Sequence, residues 1–237
     1  MQVGCDDDDC NFLGTNEKID HLMESKHCRP LIQATSEELQ CLLGMQCDNF
    51  VIIAADKTNT QSIFISDQDS DKIHALSDNL MMGVIGDEGS VAQLCQYIRG
   101  NMELYRKKNS YGLDTAAGVH FIRRTLSESL RSPAPILVNS IVGGFDKTGP
   151  SMYTMDLLAA CVRTKYASQG VAGYLCISIL AKDHKPNLSI YQAHLVIQSC
   201  VREIHKRYIL NLPAFGVKAI TRRGVMVLPD ITAATLA

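Results

Sequence analysis

The chain has 237 residues, enough for one sizeable core, with 46% hydrophobic and 20% charged residues, the balance of a globular protein rather than a disordered one. Its formal net charge of -2 supplies no whole-chain basic field, so neither nucleic acid nor an anionic membrane is an expected partner. The longest apolar run, around Val51 to Ala55, falls far short of a membrane span.

The first forty residues are polar and rich in Cys, His and Asp, without a sustained period. They begin Met1-Gln2-Val3-Gly4-Cys5 and continue with four aspartates, lacking the basic start and apolar stretch of a signal peptide. The expectation is therefore a protein of the cytoplasm and nucleus, whose nine cysteines stay reduced. Cys95, Cys161, Cys176 and Cys200 sit in apolar patterns and read as small core hydrophobes. The spacing of Cys5, Cys10, His21 and His27 comes close to that of a zinc finger. Its central loop is shorter than usual, however, and Asp6 to Asp9 fill the first knuckle. Residues 1–38 are thus read as an extension, either a disordered acidic tail or sequence upstream of the true start, with a zinc-binding module as the third reading.

A regular pattern follows. Phe50 to Ala55 is expected as a buried strand, and Ser62 to Ser66 as a second after a turn at Asn59-Thr60-Gln61. Leu80 to Ile85 makes a third. The period then lengthens: Val91, Leu94, Cys95, Ile98, Met102 and Tyr105 share one face of a helix over 88–109, entered through Gly86 to Gly89. A second helix fits 114–130, with Val119, Ile122, Leu126 and Leu130 on one face, stopped by Pro133 and Pro135. Ile136 to Gly143 and Met152 to Met155 form a hairpin around Asp146 and Gly149. Gly170 to Ala181 is apolar throughout, and periodicity leaves helix or strand open. Ser189 and Gln192 make a capping box that opens a helix with Ala193, Ile197, Cys200, Val201 and Ile204 on one face. Val217 to Ile220 and Val225 to Leu228 close the chain as a hairpin. Strand runs separated by helix pairs predict an α+β protein with antiparallel sheets.

Several segments, in order, resemble a proteasome beta subunit. They are Gly44, the run Phe50 to Asp56, Asp71-Lys-Ile73, Gly86-Asp-Glu-Gly89, Gly143-Gly-Phe-Asp146 with Gly149-Pro150, and Tyr153-Thr-Met-Asp156. Gln96-Tyr-Ile, Glu103-Leu-Tyr105 and Lys206-Arg-Tyr-Ile-Leu-Asn-Leu-Pro213 are similar to the type-2 branch of that family. The resemblance covers about residues 39–228, and 39–237 are taken as the subunit domain. It implies a four-layer αββα sandwich, two antiparallel sheets between helix layers.

Active members of the family cut peptide bonds with an N-terminal threonine, whose own α-amino group serves as base. The resemblance implies that Lys72 and Asp56 match the supporting lysine and aspartate. Counting back through Gly44 puts Gln40 in the nucleophile's place, and glutamine cannot be a nucleophile. Thr35 and Ser36 lie too far upstream. Cys41 is one residue away, so a cysteine-type peptidase beginning at Cys41 is the enzyme alternative. Against it, the family's further serine corresponds to the Gly170-Val171-Ala172-Gly173 turn, and its aspartate and serine near the last helix to Asn211-Leu-Pro-Ala214. Lys72 and Asp56 are then an inherited surface or core pair, worth about 0–1 kcal/mol if exposed. His74, His120 and His194 read as packed or surface residues, no metal site is suggested among them, and no cofactor is implied.

The implied role is that of a non-catalytic subunit. It would pack beside other proteasome beta subunits in a seven-membered ring, against an alpha ring on one side and a second beta ring on the other. The rings wall off the chamber where catalytic members cut unfolded proteins in ubiquitin-dependent degradation. Such a subunit should present large apolar interfaces, with Met81-Met82 and the outer sides of the helices as candidates.

Overall fold

The computed structural model describes residues 39–61, 64–209 and 211–236. The candidate zinc ligands Cys5, Cys10, His21 and His27 lie outside them.

Two five-stranded sheets form the centre. One has the order β10-β1-β2-β11-β12, built from β1 (Leu42–Gln46), β2 (Phe50–Asp56), β10 (Tyr166–Gln169), β11 (Ala214–Thr221) and β12 (Gly224–Thr232). The other runs β5-β6-β7-β8-β9, from β5 (Ile73–Ser77), β6 (Leu80–Gly86), β7 (Val138–Asp146), β8 (Gly149–Met155) and β9 (Cys161–Arg163). Every pairing is antiparallel. A separate hairpin joins β3 (Asn59–Gln61) to β4 (Phe64–Asp67). The segment read as a turn at Asn59 to Gln61 is thus a strand, with Thr60 paired to Ile65.

Strand alternation explains the layers. On β2, Phe50, Ile52 and Ala54 face one helix pair, while Val51, Ile53 and Ala55 face the opposite sheet. On β6, Leu80, Met82 and Val84 face the other helix pair, while Met81 and Ile85 point between the sheets. Both faces of these strands are buried, so they read as continuous apolar runs without a polar face. Met81 and Met82 are therefore core residues, each fully buried, and not the interface residues expected from sequence. The sheets approach closely where side chains are missing. A Cβ at Gly44 would stand 2.9 Å from Ile141 Cγ2, and one at Gly143 2.8 Å from Val51 Cγ1.

The helices cover both sheets, giving the αββα sandwich. α1 (Glu88–Asn109) and α2 (Thr115–Ser129) pack on β6 to β8 through Leu94, Ile98, Met102, Val119, Ile122 and Leu126. Asp87 caps α1 by accepting from Ser90 N–H at 2.9 Å, and Asp114 caps α2 by accepting from Ala117 N–H at 2.9 Å. α3 (Val171–Asp183) and α4 (Ile190–Arg207) cover the first sheet through Ala172, Cys176, Leu180, Ala193, Ile197, Cys200 and Val201. The ambiguous segment is thus helical, and the Ser189–Gln192 capping box is present in both directions. A short α5 (Ala233–Leu236) follows β12.

Candidate functional site

At the end of β2 the chain places a carboxylate in the interior. Asp56 has no solvent exposure and accepts from Cys41 N–H at 2.7 Å, Thr58 N–H at 3.2 Å and Lys72 Nζ at 2.7 Å. Lys72, one residue before β5 and 5% exposed, also donates to Thr58 O at 2.7 Å. Burial raises the Asp56 pKa, opposed by the Lys72 charge and the hydrogen bonds. Burial likewise lowers the Lys72 pKa, opposed chiefly by Asp56. The exposed-pair figure of about 0–1 kcal/mol therefore does not apply; removing one partner of a buried pair costs about 3–5 kcal/mol.

Gln40 stands on the same side of the sheet, 5% exposed, and lines with Lys72 and Gly86 a pocket of about 150 Å³. Its carboxamide pairs with both main-chain groups of Gly86. Gly86 N–H donates to Oε1 at 3.1 Å, and Nε2 donates to Gly86 O at 3.2 Å. Ser70 and His74 line the pocket too, but His74 Nε2 has no hydrogen-bond partner, so no serine–histidine relay forms. Burial lowers the His74 pKa, with Asp71 opposing and Lys218 and Arg99 reinforcing.

Cys41 points the other way. Cys41, just before β1, joins the core beneath α3 and α4 with Cys176 and Cys200. Burial first, then the Asp56 charge, push its thiol pKa well above the ordinary value. The Lys72 charge opposes this rise without cancelling it, and a thiol held protonated in the core is a poor nucleophile, which disfavours the cysteine-peptidase alternative. The Gly170–Gly173 segment, where the resemblance places a serine, opens α3 with Val171 as its first residue and no side-chain cap at Gly170. Gly170 has φ +81°, and a Cβ there would collide with the Gln40 carbonyl oxygen. Asn211 is exposed, and Leu212 O accepts from His205 Nε2 at 2.8 Å, so this stretch anchors the end of α4. Among the described residues no cluster of His, Cys, Asp or Glu could hold a metal ion, and no helix is long and apolar enough to cross a membrane.

Two partners were missed in the sequence. Gly86, which the sequence places in a turn, is the hydrogen-bonding partner of Gln40. Tyr208, inside the Lys206 to Pro213 segment, donates its hydroxyl to Leu39 O at 3.1 Å and holds the start of the described chain. The resemblance over that segment was the available signal.

The fold and pocket define an αββα sandwich whose candidate site lies where an inner strand begins. The chain belongs to the proteasome subunit family: the family profile described as "Proteasome subunit" matches residues 39–220. It is 34% identical over 190 residues to a probable proteasome subunit beta type-4 of Neurospora crassa, covering 79% of this chain and 94% of that protein. Identity to a proteasome subunit beta type-2 of Oryza sativa subsp. japonica is 30%, over 78% of this chain and 88% of the relative. A proteasome subunit beta type-4 of Saccharomyces cerevisiae is 29% identical over 82% of this chain and its own full length. Both the type-2 and the type-4 names thus occur among its relatives.

Proposed function

We propose that residues 39–237 form a non-catalytic beta subunit of the proteasome core particle. It builds a seven-membered beta ring with other beta subunits and contacts an alpha ring, in cytoplasm and nucleus. Its contribution to ubiquitin-dependent degradation is confinement: folded proteins stay out, and unfolded chains meet the catalytic subunits inside. The observation that carries the reading is Gln40. At the position that the resemblance assigns to a nucleophile, a carboxamide is tied into the main chain of Gly86, and the neighbouring thiol of Cys41 is buried in the core.

The outer face of α3 supports assembly. Val171, Tyr174 and Ile177 are exposed there, and no charged residue precedes Lys182. A helix apolar on both sides is stable in water only when both sides are covered, and another subunit of the particle is the cover proposed here.

The test is purification of the endogenous assembly through a tag on this chain, followed by intact-mass measurement of each component. The expected result is a particle of mixed alpha and beta subunits in which this chain stays unlabelled by electrophiles that modify N-terminal threonine or cysteine while the catalytic subunits are labelled. A mature chain beginning at Cys41 would restore a catalytic role, and absence from any such particle would overturn the reading.

A further inference from the structure

β6 turns alternate main-chain groups toward β5. Val84 N–H donates to Lys72 O at 3.0 Å, and in an antiparallel ladder the next pair facing the same way belongs to the residue two further on, Gly86. The β5–β6 register, with Ile73 opposite Gly83 and His74 opposite Met82, would set Ser70 opposite Gly86. The chain has turned away by then: Ser70 N–H donates instead to Lys57 O at 3.0 Å. One ladder position is therefore left without a strand. The Gln40 carboxamide stands in it, accepting from Gly86 N–H at 3.1 Å and donating to Gly86 O at 3.2 Å. A primary carboxamide carries the donor and acceptor of a peptide group. Here a side chain serves as one residue of strand.

We propose that Gln40 is an internal ligand that closes this open ladder position against extended peptide, a lock within the site rather than a passive loss of the nucleophile. The proposal rests on the non-catalytic reading above and adds what replaces the chemistry. The backbone is built to hold the lock in place. Cys41 N–H is tied to Asp56 at 2.7 Å and Leu39 O to the Tyr208 hydroxyl at 3.1 Å, one residue to either side of Gln40. Gly170 leaves the room that the Gln40 carbonyl needs, which a Cβ would take away. With its main chain fixed on three sides and its side chain 5% exposed, Gln40 has little freedom to leave the ladder.

The experiment reads hydrogen exchange at the Gly86 amide by residue-resolved mass spectrometry, in particles carrying the wild-type chain, Gln40→Ala or Gln40→Leu. The wild-type amide should be protected. Both variants should exchange about five- to ten-fold faster, the size expected for losing one net hydrogen bond. Acetamide, a free primary carboxamide, should slow exchange saturably in Gln40→Ala, where the space is open. It should do nothing in wild type, where Gln40 fills the position, or in Gln40→Leu, where leucine does. Unchanged Gly86 exchange in the variants overturns the proposal, as does acetamide protection of equal size in wild type. If Gln40→Ala fails to assemble, Gln40→Leu against wild type decides through the exchange rate alone. A chain absent from the particle counts against the ring-subunit reading instead, and exchange measured on the free chain still decides this one.

Discussion

The two helical layers bury similar faces and present different ones. Beneath each lies a dense apolar core, Leu94, Ile98, Ile122 and Leu126 under α1 and α2, and Cys176, Leu180, Ile197 and Val201 under α3 and α4. Outside, α1 and α2 carry ion pairs spaced one turn apart, Arg106–Glu103 at 2.9 Å and Arg124–Glu128 at 2.7 Å. Tyr97 and Leu104 are also exposed on α1, Tyr97 stacked on Phe121 of α2. α3 shows Tyr174 and Ile177 to the outside and has no charged residue of its own before Lys182. α4 beside it carries pairs like those of α1 and α2, Lys206–Glu203 at 3.2 Å and Arg207–Glu203 at 3.1 Å. Folding requires the inner faces alone, so the outer difference speaks of assembly: three helices are finished for water, and α3 for a neighbour.

The largest effect should come from the ion pair in the sandwich that both layers enclose. Lys72→Met leaves Asp56 buried with two N–H donors and no cation, and should lower unfolding free energy by about 3–5 kcal/mol in urea titration. Adding Asp56→Asn should recover part of that loss, because the stranded charge is gone. A loss under about 1 kcal/mol would mean that the pair behaves as a surface pair. Next come Ile98→Ala under α1 and Ile197→Ala under α4, both fully buried. Each should cost about 2–5 kcal/mol through lost burial and a residual cavity. If one of them costs nothing, the inner equivalence of the two layers is broken.

A smaller effect is pH-dependent. Burial depresses the His74 pKa below that of the unfolded chain, so folding favours the neutral ring. The unfolded state then binds more protons between the folded pKa and about 6.5, and stability falls as pH drops through that window. The slope is at most one proton, about 1.4 kcal/mol per pH unit. The groups facing the ring partly offset one another, Asp71 raising the pKa and Lys218 and Arg99 lowering it. His74→Gln should flatten the slope of the urea midpoint between pH 6.5 and 5; an identical slope in the variant would clear His74 of the effect.

What sequence reveals follows the same inner–outer divide. α1 and α4 were legible because each has one wet and one buried face, which leaves a period, and Ser189 marks where α4 begins. α3 was not, because its outer face is as apolar as its inner one and the period vanishes. β9 and β10, of three and four residues, are too short to carry a pattern, and they exist through pairing with β8 and β1. At the site, Asp56, Lys72 and Gln40 were found through family resemblance, since no local pattern distinguishes them. The partnership of Gln40 with Gly86 joins residues 46 apart and depends on where β5 ends, which only the folded sheet determines.

The smallest stability effects discriminate best between the outer faces. Arg124→Ser removes an exposed one-turn pair and should change unfolding free energy by no more than about 0.5 kcal/mol. Tyr174→Ser removes a ring that is 78% exposed in the isolated chain and should cost the free chain equally little. The two should part in the cell. Tyr174→Ser uncovers nothing in the monomer but takes apolar area from a contact that forms on assembly, so its share of the purified particle should fall against wild type in a competition pull-down. Arg124→Ser should enter the particle at the wild-type level. Equal incorporation of both variants would mean that α3 is covered by something other than a neighbouring subunit, and the contrast between α3 and the other three helices would then lose its functional meaning.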